Sequence, residues 1–199
     1  MGLKTFKFKS LNNLIKNKNF INSLVLNVSN ILDLIKKKRF NSIILNYDNN
    51  SSDLFHWYQQ LIAESLGKKG KGLLPIISKM PKDNHSLMQF YLEGTKGSFY
   101  TFFITKDEFS KKINNQKIQK THSYLKNKNS SDVKFSQYLA TKKVFNKKNI
   151  PFRSFELNKK SEESLGELFT FFILETILLG KALGVNPYDQ PAVELIKKD

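Results

Sequence analysis

At 199 residues, with 40% hydrophobic content that includes seventeen Phe and seven Tyr, the chain is long enough to bury a real core and too apolar to be disordered over most of its length. It contains no cysteine, which excludes disulfides and thiolate catalysis, and no two of its three histidines (His56, His85, His122) stand at ligand spacing, which argues against a metal site. The net charge of +16 invites a nucleic-acid reading, but the lysines are spread along the whole chain and arginine occurs only at Arg39 and Arg153. Lys, Asn, Ile and Phe are enriched together, which reads as compositional drift and not as an arginine-rich stripe for phosphates, so no nucleic-acid partner is expected.

The N-terminal stretch MGLKTFKFKS lacks the apolar core of a signal peptide. Apolar residues at three- and four-residue intervals over 10–38 predict an amphipathic helix, broken near Asn17–Asn19 and closed by basic Lys36 to Arg39. Residues 42–47 (SIILNY) read as a buried strand. Ser51-Ser52-Asp53 caps a second helix that ends at Gly67. On it Gln60 and Glu64, four apart, project from one side. Residues 73–78 (LLPIIS) predict another strand, confined by Pro75 to an edge or a start.

Asp83 reads as the cap of a third helix over 84–93, with His85 in its first turn, where the helix dipole disfavours an extra positive charge. Residues 99–105 (FYTFFIT) are strongly β-prone, and residues 106–131, polar and Lys/Asn-rich, are expected to be a mobile insertion. A helix over 135–147, a strand over 151–157 and a long helix over 165–183 follow. The apolar part of that last helix carries Thr170, Glu175 and Thr176 and falls short of the roughly 20 apolar residues of a membrane span, so no membrane partner is expected. Strands alternating with helices predict an α/β domain with a mostly parallel sheet.

Glu64, His85 and Lys197 are each accounted for singly by a structural or surface role. Together they suggest a mechanism. A carboxylate can shuttle a proton between carbons beside a carbonyl, an imidazole can exchange one with a sugar ring oxygen, and a lysine can stabilise negative oxygen. Such a trio suits aldose–ketose isomerisation without metal or cofactor, a reading that composition and spacing alone do not single out.

The stretch Trp57 to Lys68 (WYQQLIAESLGK) with Gly70-Lys71-Gly72 resembles the signature of the glucose-6-phosphate isomerase (phosphoglucose isomerase) family. So do Asp83-Asn84-His85-Ser86 with Tyr91-Leu92-Glu93-Gly94, Ser164 to Leu168 (SLGEL), and Asn186 to Glu194 (NPYDQPAVE). These four motifs stand in the family's order, and the resemblance runs from about residue 40 to the end.

The resemblance implies a fold of the sugar-isomerase (SIS) type, a three-layer α/β domain with a five-stranded parallel sheet flanked by helices. Residues 40–199 would be the C-terminal SIS domain, with 106–131 an insertion and 1–39 a helical lead-in; the family's N-terminal SIS domain, with its Gly-Gly-Arg motif, has no counterpart here. The resemblance implies a cytoplasmic enzyme that interconverts glucose 6-phosphate and fructose 6-phosphate through a cis-enediol, in glycolysis and gluconeogenesis. Glu64 would be the base and His85 the ring-opening residue, supplied across the interface of a homodimer. Lys197 would be the lysine near the same oxygens, with Lys198 directly after it as the alternative, and Gln60 and Gln190 would contact substrate, largely at the phosphate end. The 199 residues alone are expected to be inactive. A SIS module that binds sugar phosphate without catalysis is the alternative.

Overall fold

The computed structural model describes residues 13–106 and 110–196, so that Lys197 and its neighbour Lys198 lie outside the described residues. By contacts the chain forms two compact units, one of residues 13–41, 56–75 and 161–196, the other of 42–55 and 76–160.

The sheet has the order β2-β1-β3-β4, with β1 at Asn41–Asn46, β2 at Leu74–Lys79, β3 at Ser98–Thr105 and β4 at Phe152–Leu157. It is a parallel sheet. Tyr100 pairs with Phe152 and Thr105 with Leu157, so β3 and β4 run the same way. The amide of Leu74 reaches the carbonyl of Phe40 and that of Met80 the carbonyl of Asn46, a constant offset that makes β2 and β1 parallel as well. The two inner strands, NSIILN and SFYTFFIT, are almost wholly buried, as parallel strands covered on both faces must be. Pro75 has no N–H to give a ladder, and β2 lies at an edge, where that costs little.

The fifth strand implied by the family resemblance is a correction: the sheet has four strands among the described residues. These four are the four apolar runs of the sequence. The polar stretch that follows β3 offers no fifth β-prone run; it forms short 3-10 turns at Asn115–Lys117 and Lys120–Leu125, tied by a bridge between Lys112 and Asn129.

The helices in chain order are α1 (Lys18–Lys36), α2 (Ser52–Leu66), α3 (Met88–Glu93), α4 (Ser130–Lys147), α5 (Glu162–Leu183) and α6 (Pro191–Ile196). The predicted break near Asn17 is the start of α1: the Asn17 side chain accepts from the amides of Asn19 and Phe20. In the first unit α1 buries Phe20, Leu24, Val28 and Ile31 and packs along α5, with the ring of Phe20 edge-on to Phe171 at 5.9 Å. Ser161 and Ser164 cap α5 reciprocally, and the helix ends at Gly184, whose φ of 67° is the left-handed turn that glycine adopts without strain. No helix among the described residues is long and apolar enough to cross a membrane.

The core of the second unit is aromatic. The ring of Tyr47 stands edge-on to that of Tyr138 at 5.4 Å, and Phe102 packs edge-on against Tyr138 and Phe145 of α4. Burial pushes the phenol of Tyr47 up to about 12, against the opposing effect of its hydrogen bond to the Thr141 hydroxyl at 3.0 Å.

Candidate active site

Helix α2 fixes the first site residues. Its buried side is Leu54, Phe55, Tyr58, Ile62 and Leu66. Residues 60 and 64 fall on the opposite side, one turn apart, because 3.6 residues complete a turn. The Gln60 amide donates to Oε1 of Glu64 at 3.1 Å. The neighbouring Gln59, turned away, donates instead to the carbonyl of Pro75 at 2.8 Å, which ties the helix to the start of β2.

The second half of the cluster arrives from the far end of the chain. After Gly184 the backbone folds back so closely that a Cβ at Gly180 would stand 3.1 Å from Pro187. Asn186 organises the turn: its side-chain oxygen accepts from the amide of Tyr188 at 3.1 Å and its amide donates to Asp189 at 3.0 Å. Gln190 follows, and its amide donates to Oε2 of Glu64 at 2.6 Å. The carboxyl group of Glu64 is therefore held by two amides, one on each oxygen, with its own residue half-buried. Three residues singled out by the sequence, Gln60, Glu64 and Gln190, meet here, although 126 positions separate the last two.

Two lysines from the loop after α2 hold this turn in place, and sequence reasoning gave neither a role of its own. Lys68 pairs with Asp189 at 2.8 Å and also donates to the carbonyl of Asn186; Lys71 donates to the carbonyl of Leu183 at 2.7 Å. Both bring positive charge to the C-terminal end of α5, where the helix dipole favours it. The Lys68 ammonium, helped by the Asn186 amide, holds the Asp189 carboxyl below the ordinary carboxylate range. In a chain with 33 Lys and Arg, what marked this loop was its glycines and its place at the end of the motif that begins at Trp57.

His85 belongs to the other unit and is exposed. The expected helix over 84–93 is shorter: α3 begins at Met88, after a 3-10 turn over Lys82–Asn84, and His85 lies between them. Asp83 explains the difference. Its carboxylate is turned back toward β2, where Oδ2 accepts from the Lys79 amide at 2.7 Å and the Ser78 hydroxyl at 2.9 Å, so it does not serve as the helix's cap. His85 is presented by this braced loop.

No family model matches the chain. Among curated proteins, a glucose-6-phosphate isomerase of Mycoplasmopsis pulmonis is 34% identical over 195 residues, covering 96% of this chain and 45% of that protein. A glucose-6-phosphate isomerase of Methanocaldococcus jannaschii is 34% identical over 164 residues, 79% of this chain and 39% of that protein. The chain thus spans less than half the length of these relatives. Among solved structures, a hypothetical protein of Thermus thermophilus matches with a TM-score of 0.76 at 26% identity, over 83% of this chain and 42% of that one. A glucose-6-phosphate isomerase of Chlamydia trachomatis matches with a TM-score of 0.61 at 19% identity, over 80% of this chain and 33% of that one, a likeness of fold.

Proposed function

The chain belongs to the glucose-6-phosphate isomerase family, and we propose that it supplies the C-terminal sugar-isomerase part of an enzyme that interconverts glucose 6-phosphate and fructose 6-phosphate. Residues 40–199 form that part on this reading, with 1–39 leading into it. The observation that carries the proposal is the Glu64 carboxyl group held between the Gln60 and Gln190 amides.

Glu64 takes the proton from C2 of the open-chain aldose and returns it to C1 of the cis-enediol, which leaves the ketose; the reverse path uses the same group. Proton transfer between adjacent carbons needs a base held within reach of both, and two amides donating to opposite oxygens fix the plane of the Glu64 carboxyl group. Gln60 and Gln190 orient the base and, with substrate bound, turn toward the phosphate end. His85 exchanges a proton with the ring oxygen for ring opening, reaching the substrate from a neighbouring subunit of a cytoplasmic homodimer, a role that suits its exposed position on a braced loop. Lys197 stabilises negative charge on the same oxygens.

Glu64→Gln in the full-length protein that carries this chain keeps the hydrogen-bonding shape and removes the base. It should lower kcat by about 10²- to 10⁴-fold while leaving sugar-phosphate binding within a few fold. A coupled isomerase assay and calorimetry decide it: near-parental turnover in that variant rules Glu64 out as the base, and loss of binding with it would point to a structural role.

A further inference from the structure

Glu175 lies in the second half of α5 with 0% of its surface exposed. Its neighbours along the buried side of the helix, Phe171, Phe172 and Leu179, are apolar. Oε1 accepts from the Tyr58 hydroxyl at 2.8 Å and Oε2 accepts from the Asn27 amide. Tyr58 is itself 1% exposed, and its ring lies 4.3 Å from that of Phe172. One carboxyl group therefore joins α1, α2 and α5 within the first unit.

Apolar contact alone would have packed these helices at lower cost. A leucine would fill nearly the same volume without the several kcal/mol that taking a carboxyl group out of water costs before its hydrogen bonds are counted. Apolar contacts, however, are non-directional and tolerate slip. Two hydrogen bonds to opposite oxygens of one buried group do not: they are satisfied in a single register of the three helices. Register matters here because the two halves of the site ride on two different helices. Glu64 follows Tyr58 by six residues on α2, roughly 9 Å along the axis. Gln190 rides on the turn held to the end of α5 by Gly180 and Pro187. Sliding α2 by one turn, about 5.4 Å, would break the Glu64–Gln190 hydrogen bond outright.

We propose that Glu175 is a positioning residue: through the Tyr58 hydroxyl it sets the register of α2 against α5, and so holds Glu64 against Gln190. It touches no substrate. Asn27 fixes the second oxygen and with it the rotation of the carboxyl plane.

The absence of cysteine allows a direct test. Nitroxide labels on Ala63→Cys and Tyr188→Cys, both exposed, report the distance between α2 and the turn by pulsed electron paramagnetic resonance. The otherwise unaltered chain should give one narrow distribution. Glu175→Gln should keep it, because the glutamine oxygen still accepts from Tyr58 and Asn27 can turn its own amide over to accept from the new NH2 group. Tyr58→Phe and Glu175→Leu should broaden the distribution or move its maximum by up to about 5 Å. If Glu175→Leu does not fold, Tyr58→Phe, which deletes one oxygen, decides alone. An unchanged distribution in folded Tyr58→Phe overturns the proposal.

A kinetic arm rests on the isomerase reading. In the full-length protein Tyr58→Phe should lower kcat about tenfold or more with KM within about twofold, and Glu175→Gln should stay near the parent. Absence of any isomerase activity in the parent would sink the proposed function but not this inference, which the label distances decide by themselves.

Discussion

At the scale of single residues, Asp48 shows how a carboxylate stays ionised inside this fold. Burial pushes its pKa up, but the Lys160 ammonium at 2.8 Å and the Ser51 hydroxyl at 2.7 Å more than reverse that, and the group titrates below its ordinary value. Because the folded value lies below the unfolded one, the stability Asp48 contributes is complete above about pH 4 and is lost as the pH falls through the folded value. Asp48→Asn should therefore destabilise the chain by about 1–3 kcal/mol at pH 7. The gap from the parent should narrow in strongly acid solution. Urea unfolding at neutral pH and near pH 3 measures both; a gap independent of pH would show that the charge on Asp48 contributes nothing. No sequence pattern pointed to this pair, since local spacing carries no information about a partner brought in from a distant part of the chain. Gln60 and Glu64 were legible because four residues on a helix guarantee a shared face. Gln190 was legible only through its motif.

At the scale of elements, what the sequence displayed well were helices with an apolar period and a chemical stop. Helix α5 ends at Gly184 as its pattern predicts, and the stop is conformational. Gly184→Ala places a Cβ at φ 67°, where the nearest neighbouring atom is the Lys71 ammonium nitrogen at 3.9 Å, so the cost is backbone strain and not a clash. That strain is about 1 kcal/mol, and thermal unfolding should show Tm lower by about 2–4 °C for a domain of this size. An unchanged Tm would mean that the helix end has another way to close. Starts were less legible than stops. Helix α4 begins at Ser130, five residues before the predicted start, because Asn129 and Asp132 cap it reciprocally ahead of any apolar period. Helix α3 begins later than predicted because Asp83 is engaged with β2. The α4 cap is local, whereas the Asp83 carboxylate could have capped α3 and was taken instead by β2.

At the scale of the whole molecule, the four strands and their parallel arrangement could be read from apolar runs alternating with helices, whereas the division into two units could not. The first unit gathers residues from both ends of the chain and the middle, and only long-range contact defines it. Charge acts at this scale too. A net charge of +16, spread along the chain, makes the compact state repel itself at low ionic strength. Exposed pairs such as Lys37–Asp33 and Lys148–Glu93 act in the opposite sense, but solvent screens them and each contributes little. Salt screens both effects. Raising ionic strength from about 0.01 M to about 0.15 M shortens the screening length from about 30 Å to about 8 Å. That removes most of the repulsion between distant lysines and leaves a contact of 2.7 Å, such as Lys37–Asp33, partly intact. Tm measured by calorimetry at pH 7 should therefore rise over this range of sodium chloride. A fall would mean that the exposed pairs outweigh the collective repulsion, and that the lysines are arranged among the carboxylates more favourably than their number implies.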